Sequence, residues 1–426
     1  KQNFNIPPTI RQLSKQRLDD LTPQQLSLLK VLAVSGRALH INILLEILPF
    51  PEEEIFDIIE YLITERIIVE QKHGFEEAFD FSRRKLGEVL YEELPPLEQK
   101  SLHHQIASHL EKISLPSLAT IQQIGEHYRS AEIASKAYSF LAEAALRLWE
   151  RGLVSDALYN IQISQPLTRT AKIEMEMVDF YHARLKTLQV RSAVSHNKGE
   201  WLEAIKYLKT QLRYAKELQL WELEAQTQLD IGDVLTRLGE VQDGTKRIER
   251  ILLESQQKHH IAMQVTAYHH LCALAWMDGD LEKCERLAKS GLSLLSESDL
   301  SLSKAKILLS ISAVKASQGS LPIACEQMMK AVAILERLTR KELLSIVLCN
   351  LAEVLLWRGM WEEALNKAQQ SLELSEETMH KAGQAQASLI IAMVQLEISR
   401  NYCCNLYGIR YYRNHLASLH GSFIFR

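Results

Sequence analysis

One short interval of the chain has the spacing of a phosphate-binding loop. Gly239 and Gly244 stand at the GxxxxG spacing and are followed by Thr245 and Lys246. A phosphate loop that holds a nucleotide requires Lys followed by Ser or Thr, and a buried strand before the first glycine. Here the last two residues are in reverse order, and a helical pattern precedes them. The sequence therefore favours a structural role for both glycines, and any ATP site is expected upstream of Lys1.

Histidine and cysteine could also do chemistry, and the chain has 15 His and 6 Cys. His269 and Cys272 form an i, i+3 pair, a spacing that can place two zinc ligands on one helix face. No HExxH or CxxC motif accompanies this pair. Adjacent carboxylates such as Glu362 and Glu363 are typical of solvated helix faces, and no Gly-x-Ser-x-Gly elbow or kinase signature is present. We therefore predict no catalytic residue, no metal and no cofactor in this chain.

Glycine recurs with a fixed period of 40 residues through the middle of the chain. The copies are Gly199, Gly239, Gly279, Gly319 and Gly359. Small residues stand seven positions before each glycine, at Ser192, Gly232, Cys272, Ser312 and Ala352. A second small slot lies five positions after it, at Ala204, Gly244, Cys284, Ala324 and Ala364. Positions held in phase in this way indicate an internal repeat.

The repeated unit is predicted to be a helix hairpin. A glycine in the left-handed conformation ends one helix and permits a tight turn into the next. Small residues on both sides of the turn let the two helix backbones approach closely. A single hairpin cannot bury its apolar face, so successive copies are expected to stack into a solenoid. Ala145, Gly152 and Ala157 hold the same slots in an earlier hairpin.

The small-Gly-small pattern, with Trp201 and Trp361 two residues after a glycine, resembles the tetratricopeptide repeat (TPR). That repeat is usually about 34 residues long. The period of 40 resembles the lengthened form found in the sensor domains of large ATP-binding bacterial regulators. The resemblance implies an all-α, right-handed superhelical TPR-like solenoid over residues 114–426, with about seven hairpins.

Residues 1–113 are predicted to form a separate small domain. Thr22 and Pro23 cap an apolar helix that ends at Gly36, and two shorter helical segments follow at 40–48 and 52–65. Two strand-like runs come next, Ile67 to Glu70 and Phe75 to Phe81, joined by a turn signal at Lys72-His73-Gly74. Helical segments at Arg83 to Leu94 and at 97–113 complete the domain. Three helices followed by a β-hairpin is the order of a winged helix.

This domain resembles the winged-helix arm of signal-transducing ATPases with numerous domains (STAND proteins). The motifs that carry the resemblance are RLDDL at 17–21, AVSG at 33–36, and Phe81 followed by Tyr91. Ile124 to Tyr128 resembles the start of the repeat array in those proteins, whereas Arg83 departs from their usual histidine. The resemblance implies that a nucleotide-binding domain precedes the arm, that ATP binds only there, and that the arm relays a signal to it.

A winged helix also suggests DNA binding, and the charge pattern argues against that function. The segment equivalent to a recognition helix carries Glu52, Glu53, Glu54, Asp57, Glu60 and Glu65, and no Lys or Arg lies between Arg37 and Arg66. Affinity for DNA comes mainly from neutralised phosphates, so an acidic face would repel a duplex. The net charge of -4 likewise gives no general attraction to nucleic acid or to an acidic membrane.

Partner binding is the remaining expectation. In a TPR-like superhelix the first helix of each hairpin lines the concave face. Projected onto this chain, the exposed inner positions are Lys186, Gln189, His196, Gln226, Asp233, Thr236, Thr266, His269, Trp276, Lys306, Glu353 and Trp357. Aromatic residues in a groove are typical anchors for a peptide or small ligand, although both tryptophans could instead pack between helices. The expected partner is a protein or a small-molecule inducer.

The sequence thus predicts a non-enzymatic sensor and interaction module of a cytoplasmic STAND-type regulator. Six cysteines without a CxxC pair are typical of a reducing compartment, and no apolar run is long enough to span a membrane. The alternatives are a free-standing TPR adaptor and a winged-helix DNA-binding regulator. The basic, aromatic tail at 398–426 is interpreted as an incomplete terminal hairpin or as an altered sequence.

Overall fold

A computed structural model describes residues 16–73 and 76–407 of the chain. Within these residues two compact units are present, one of residues 16–144 with 160–180 and one of residues 145–159 with 181–407. The tail beyond 407, the side chains of Cys403 and Cys404, and the turn at Gly74 lie outside the residues described. The predicted domain boundary at residue 113 stays a prediction.

The first unit begins with helices whose ends follow the predicted signals. They are α1 (Pro23–Ser35), α2 (Ile41–Ile47), α3 (Glu52–Thr64), α4 (Arg84–Glu93), α5 (Pro96–Leu110) and α6 (Leu118–Ser130). Thr22 caps α1 through a reciprocal pair of hydrogen bonds with Gln25, a capping box. Gly36 ends the same helix with φ of 67°. The predicted start and end of this helix are therefore confirmed.

A small antiparallel sheet belongs to the same unit. It contains β1 (Leu39–His40), β2 (Ile68–His73) and β3 (Glu76–Phe81) in the order β1-β3-β2. Phe79 pairs with Leu39 on one side and with Glu70 on the other. The strand β1 was not predicted, because two residues are too short a run to show an alternating pattern.

Helices continue in pairs to the end of the described chain. The first four are α7 (Ala134–Glu150), α8 (Val154–Ser164), α9 (Thr168–Glu174) and α10 (Met177–Asn197), with a 3₁₀ turn at Gln165–Leu167. The next five are α11 (Trp201–Glu217), α12 (Trp221–Arg237), α13 (Val241–Gln257), α14 (Ile261–Met277) and α15 (Leu281–Ser293). The last five are α16 (Leu302–Ser317), α17 (Leu321–Arg337), α18 (Lys341–Trp357), α19 (Trp361–Glu377) and α20 (Lys381–Tyr407). The fold is an all-α TPR-like solenoid, as predicted.

The repeated glycines are confirmed as turn residues. Gly152, Gly199, Gly239, Gly279, Gly319 and Gly359 all have φ between 73° and 89°. The small slots are confirmed as points of close helix approach. A Cβ added to Gly244 would lie 2.6 Å from the carbonyl oxygen of Gly232, and the Cys272 thiol contacts the carbonyl of Cys284 at 3.5 Å. Gly239 and Gly244 thus serve the hairpin, as expected.

A second left-handed turn, which was not predicted, joins α11 to α12, α13 to α14, α17 to α18 and α19 to α20. Gln219, His259, Thr339 and Met379 have φ between 53° and 56°, and their positions also follow the repeat period. Side chains other than glycine adopt this conformation at a cost of about 1 kcal/mol or more. Because these residues share no type, a search for turn residues does not find them.

The hydrophobic core of the repeats is formed between neighbouring hairpins. Its largest cluster in the repeats runs from Ala305 to Val394 and is built mainly from small and branched aliphatic side chains. In the part of the chain that the structure covers, no helix combines the length and the apolar character needed to cross a bilayer.

Candidate functional site

Ionisable side chains from five first helices of the hairpins lie within electrostatic reach of each other. These helices are α10, α12, α14, α16 and α18. We call the group the inner charged cluster, and its members are His196, Asp230, Asp233, His270, Lys306 and Glu342. All six are half-buried. Helices that are far apart in sequence thus present polar groups to one shared inner face.

The strongest pair in this cluster joins α10 to α12. His196 Nε2 and Asp233 Oδ2 are 2.7 Å apart, and Arg237 Nε donates to the same oxygen at 2.9 Å. Burial is the largest single influence and would lower the pKa of His196, but the hydrogen bond with Asp233 and the negative charges of Asp233 and Glu342 together raise that pKa. Burial opposes ionisation of Asp233 too, yet His196 and Arg237 hold the pKa of this carboxyl far below its usual range. The pair is therefore an ion pair that the fold satisfies internally.

Other members of the cluster are ionisable groups in a desolvated setting. Burial raises the pKa of Asp230, whose Oδ1 accepts a 2.8 Å hydrogen bond from Gln226 Nε2. Burial lowers the pKa of Lys306 and lowers that of His270 to about 4. In the described part of the chain, Lys306 interacts electrostatically with Asp230 without a direct ion pair to it.

His269 and Trp276 lie on α14 and hydrogen-bond to α16. His269 Nδ1 and Ser310 Oγ are 2.9 Å apart, and Trp276 Nε1 donates to Ser317 Oγ at 3.2 Å. Burial lowers the pKa of His269 well below its usual value, so its imidazole is neutral at pH 7. Trp276 is half-buried and packs against the apolar cluster of residues 305–394. The Trp276 ring therefore lies at the predicted inner position and also packs between helices.

Three predicted inner positions are buried rather than exposed. Thr236, Thr266 and Glu353 are 8%, 4% and 7% exposed. Both threonine hydroxyls donate to carbonyls of their own helices, those of Asp233 at 2.7 Å and Ala262 at 2.9 Å. A projection from sequence indicates the direction of a side chain but not how closely the next helix covers it. The expectation that these three residues are exposed was wrong.

The remaining predicted residues, Lys186, Gln189 and Trp357, are half-buried. Trp357 packs against the same apolar cluster as Trp276. A role in partner binding stays a prediction for all twelve positions.

Three members of the inner charged cluster were not predicted from the sequence, namely Asp230, His270 and Glu342. Asp230 and His270 are 40 residues apart and hold the same position of adjacent repeats. Each lies between two predicted inner positions of its helix, so the repeat period was a signal that could have identified both. Glu342 lies at the start of α18, next to Arg340, where no periodic signal distinguishes it.

An open cavity of about 410 Å³ lies at the ends of α7 and α18. It is lined by Arg147, Glu150, Arg151, Leu338, Thr339 and Arg340. Three guanidinium groups against one carboxylate make the lining positively charged. No sequence signal predicted this cavity, because its walls come from segments almost two hundred residues apart.

The inner face is suited to non-covalent recognition, since it offers carboxylates, imidazoles, an ammonium and indole rings within one region. Among the described residues, no group of three His, Cys, Asp or Glu side chains is arranged to hold a metal ion. The described thiols, at Cys272, Cys284, Cys325 and Cys349, are buried.

Among known proteins, only solved structures resemble this chain; the sequence comparisons found no match. No protein-family model and no curated protein matches the sequence. A STAND protein with a tetratricopeptide repeat sensor from Pyrococcus horikoshii aligns with a TM-score of 0.52 and 12% identity. The alignment covers 97% of this chain and 61% of that protein. The chain therefore spans less than two thirds of that protein's length, and the likeness shows a similar fold.

Two further structures align at lower TM-scores. A Rap protein in complex with competence and sporulation factor gives 0.42 at 12% identity, over 72% of this chain and 94% of that one. The apo form of the quorum sensor NprR from B. thuringiensis gives 0.36 at 11% identity, over 80% and 94% of the two chains. At these TM-scores the two alignments do not establish a shared fold.

Proposed function

We propose that this chain is the ligand-sensing part of a cytoplasmic STAND-type regulator. Its repeats bind a protein, a peptide or a small inducer on the inner face of the first helices. The N-terminal module relays that event to a nucleotide-binding domain, where ATP binds. The alignment with the Pyrococcus horikoshii protein along 97% of this chain supports the proposal, because that protein joins a TPR sensor to a STAND ATPase.

The inner charged cluster is the observation that carries the binding role. Five helices place ionisable side chains in one desolvated region, where burial shifts the pKa values of Asp230, Lys306 and Glu342 toward their neutral forms. Packing of a helical repeat does not need such groups, since aliphatic residues of similar size would stabilise the same contacts. Shifted pKa values in a concave site are typical of functional positions.

The element order of the N-terminal module supports its interpretation as a winged helix. The order is α1, β1, α2, α3, β2 and β3, and the sheet is antiparallel. The outer face of α3 exposes Glu52, Glu53, Asp57 and Glu60 together with Phe56, which is 41% exposed. An acidic face with apolar members is suited to a protein contact rather than to a phosphate backbone.

A selection experiment tests the binding role. Random peptides displayed on phage are selected on the immobilised chain, and one enriched peptide is titrated into wild type and variants. We expect His269→Ala with Trp276→Ala to weaken its binding at least tenfold, with helical circular dichroism unchanged. Glu249→Ala with Glu376→Ala, on exposed faces of second helices, is the control and should bind like wild type. Equal binding by the first variant, or equal loss in both, would overturn the proposal.

A further inference from the structure

Asp233 and Glu353 occupy the same position of the repeat, three periods of 40 residues apart. Both are carboxylates on the first helix of a hairpin, Asp233 in α12 and Glu353 in α18. Because the hairpins are built alike, the surroundings of the two carboxylates can be compared position by position.

The chain itself neutralises Asp233. His196 approaches it at 2.7 Å and Arg237, four residues on in the same helix, at 2.9 Å. The Arg237 guanidinium also lies 5.1 Å from the centre of the Trp201 ring. Asp233 is therefore surrounded by two cations, one of which rests on an aromatic face.

Both cations are absent at the equivalent positions around Glu353. The position that corresponds to His196 is Ala316, and the one that corresponds to Arg237 is Trp357. Glu353 is only 7% exposed, and its Oε2 is enclosed without any hydrogen-bond partner in the described chain. The Cys349 thiol lies within electrostatic reach of Glu353, which helps to raise the pKa of that thiol. Burial raises the pKa of the Glu353 carboxyl to about 7.

A buried carboxylate without a partner destabilises a fold in its charged form and is rare in proteins for that reason. Glu353 also has an indole one helical turn away, at Trp357. A carboxylate beside an aromatic ring is the pairing that recognises ammonium and guanidinium groups.

We propose that Glu353 and Trp357 form a subsite for a cationic group of the ligand, an ammonium or a guanidinium. The ligand supplies to Glu353 the positive charge that His196 and Arg237 supply to Asp233. This inference rests on the proposed binding role of the inner face, and it narrows the ligand to one with a basic side chain or a free amino terminus.

Small probes test the subsite directly. N-acetyl-argininamide, N-acetyl-lysinamide and the neutral N-acetyl-citrullinamide are titrated separately, and the indole NMR signal of Trp357 is followed after assignment with Trp357→Phe. We expect saturable shifts with the arginine or the lysine probe, and the stronger of the two identifies guanidinium or ammonium recognition. The citrulline probe should produce no saturable shift, because it has the size of arginine without its charge.

Glu353→Gln should weaken binding of the preferred cationic probe about tenfold or more, since it removes a charge-assisted hydrogen bond. Glu363→Gln, on the exposed face of α19, is the matched control and should bind like wild type. Equal shifts with arginine and citrulline probes, no shift up to the solubility limit, or unchanged binding by Glu353→Gln would each overturn the inference. If a selected peptide loses binding in the His269 and Trp276 variant but is unaffected by Glu353→Gln, only the subsite fails and the proposed function stands.

Discussion

Asn197 donates a hydrogen bond of 3.1 Å from its Nδ2 to the carbonyl oxygen of Thr378, 181 residues further along the chain. Asn197 ends α10, and Thr378 follows the last residue of α19, so the bond links two hairpins that are far apart in the sequence. Asn197 is 2% exposed and Thr378 is 1% exposed. The link is thus a buried polar contact between the end of α10 and the turn that follows α19.

Asn197→Ala should lower the free energy of unfolding by about 1–3 kcal/mol, because the buried Thr378 carbonyl would lose a donor. Chemical denaturation monitored by circular dichroism measures the change. Asn366→Ala is a suitable control, since Asn366 is exposed and its hydrogen bond with Gln370 lies on one helix surface. Equal stability of the Asn197 variant and wild type would show that the link contributes nothing.

Asp233→Asn should destabilise the fold by about 1–3 kcal/mol, because it leaves His196 and Arg237 without their acceptor charge. The loss depends on pH. Stabilisation from the depressed pKa of Asp233 is present above about pH 4, and that from the raised pKa of His196 is complete below about pH 6.5. The variant should therefore differ most from wild type between these values. A difference that does not change with pH would contradict an ion pair.

Gly152→Ala and Gly279→Ala separate backbone strain from crowding. Both glycines have positive φ, of 73° and 78°, so each alanine should cost about 1–2 kcal/mol. An added Cβ at Gly279 meets nothing within 4 Å, whereas at Gly152 it would lie 2.5 Å from Cδ of Lys341. Lys341 is held by an ion pair of 2.7 Å with Glu377. Gly152→Ala should therefore cost about 1 kcal/mol more, and equal melting temperatures for the two variants would refute this close contact.

Glu353→Gln should change how stability depends on pH. In wild type the raised pKa of about 7 means that the unfolded chain loses this proton first as pH rises from about 4.5. Stability therefore falls between about pH 4.5 and 7, by up to about 3 kcal/mol relative to the glutamine variant. Denaturation curves at several pH values measure the difference. Parallel curves for the variant and wild type would mean that Glu353 titrates normally.

The repeat could be predicted from sequence because its constraints are local. A tight turn needs glycine, and closely packed backbones need small side chains. Residues such as Gly279, Cys272 and Cys284 therefore recur at fixed positions of the period and can be recognised in the sequence. The second left-handed turn, found at four hairpin junctions, could not be predicted, since Gln219, His259, Thr339 and Met379 adopt this conformation without a common residue type.

The candidate site could be predicted only in part. The helical register correctly predicted that His196 and Asp233 lie on a common face, where the structure shows them as an ion pair. It did not indicate that Glu353 is buried, because depth depends on how neighbouring hairpins cover it. It also could not show that His196 and Glu342 interact across three repeats, since that contact depends on small rotations summed from hairpin to hairpin.

Photo-crosslinking tests most directly the claim that the ligand lies on the inner face. p-Benzoylphenylalanine replaces Trp357 in one sample and Leu253 in another, Leu253 being 55% exposed on the second helix α13. Each sample is irradiated with a peptide enriched in the phage selection. We predict a covalent adduct from position 357 that excess unlabelled peptide suppresses, and none from position 253. An adduct from position 253 alone, or equal adducts from both, would contradict the account.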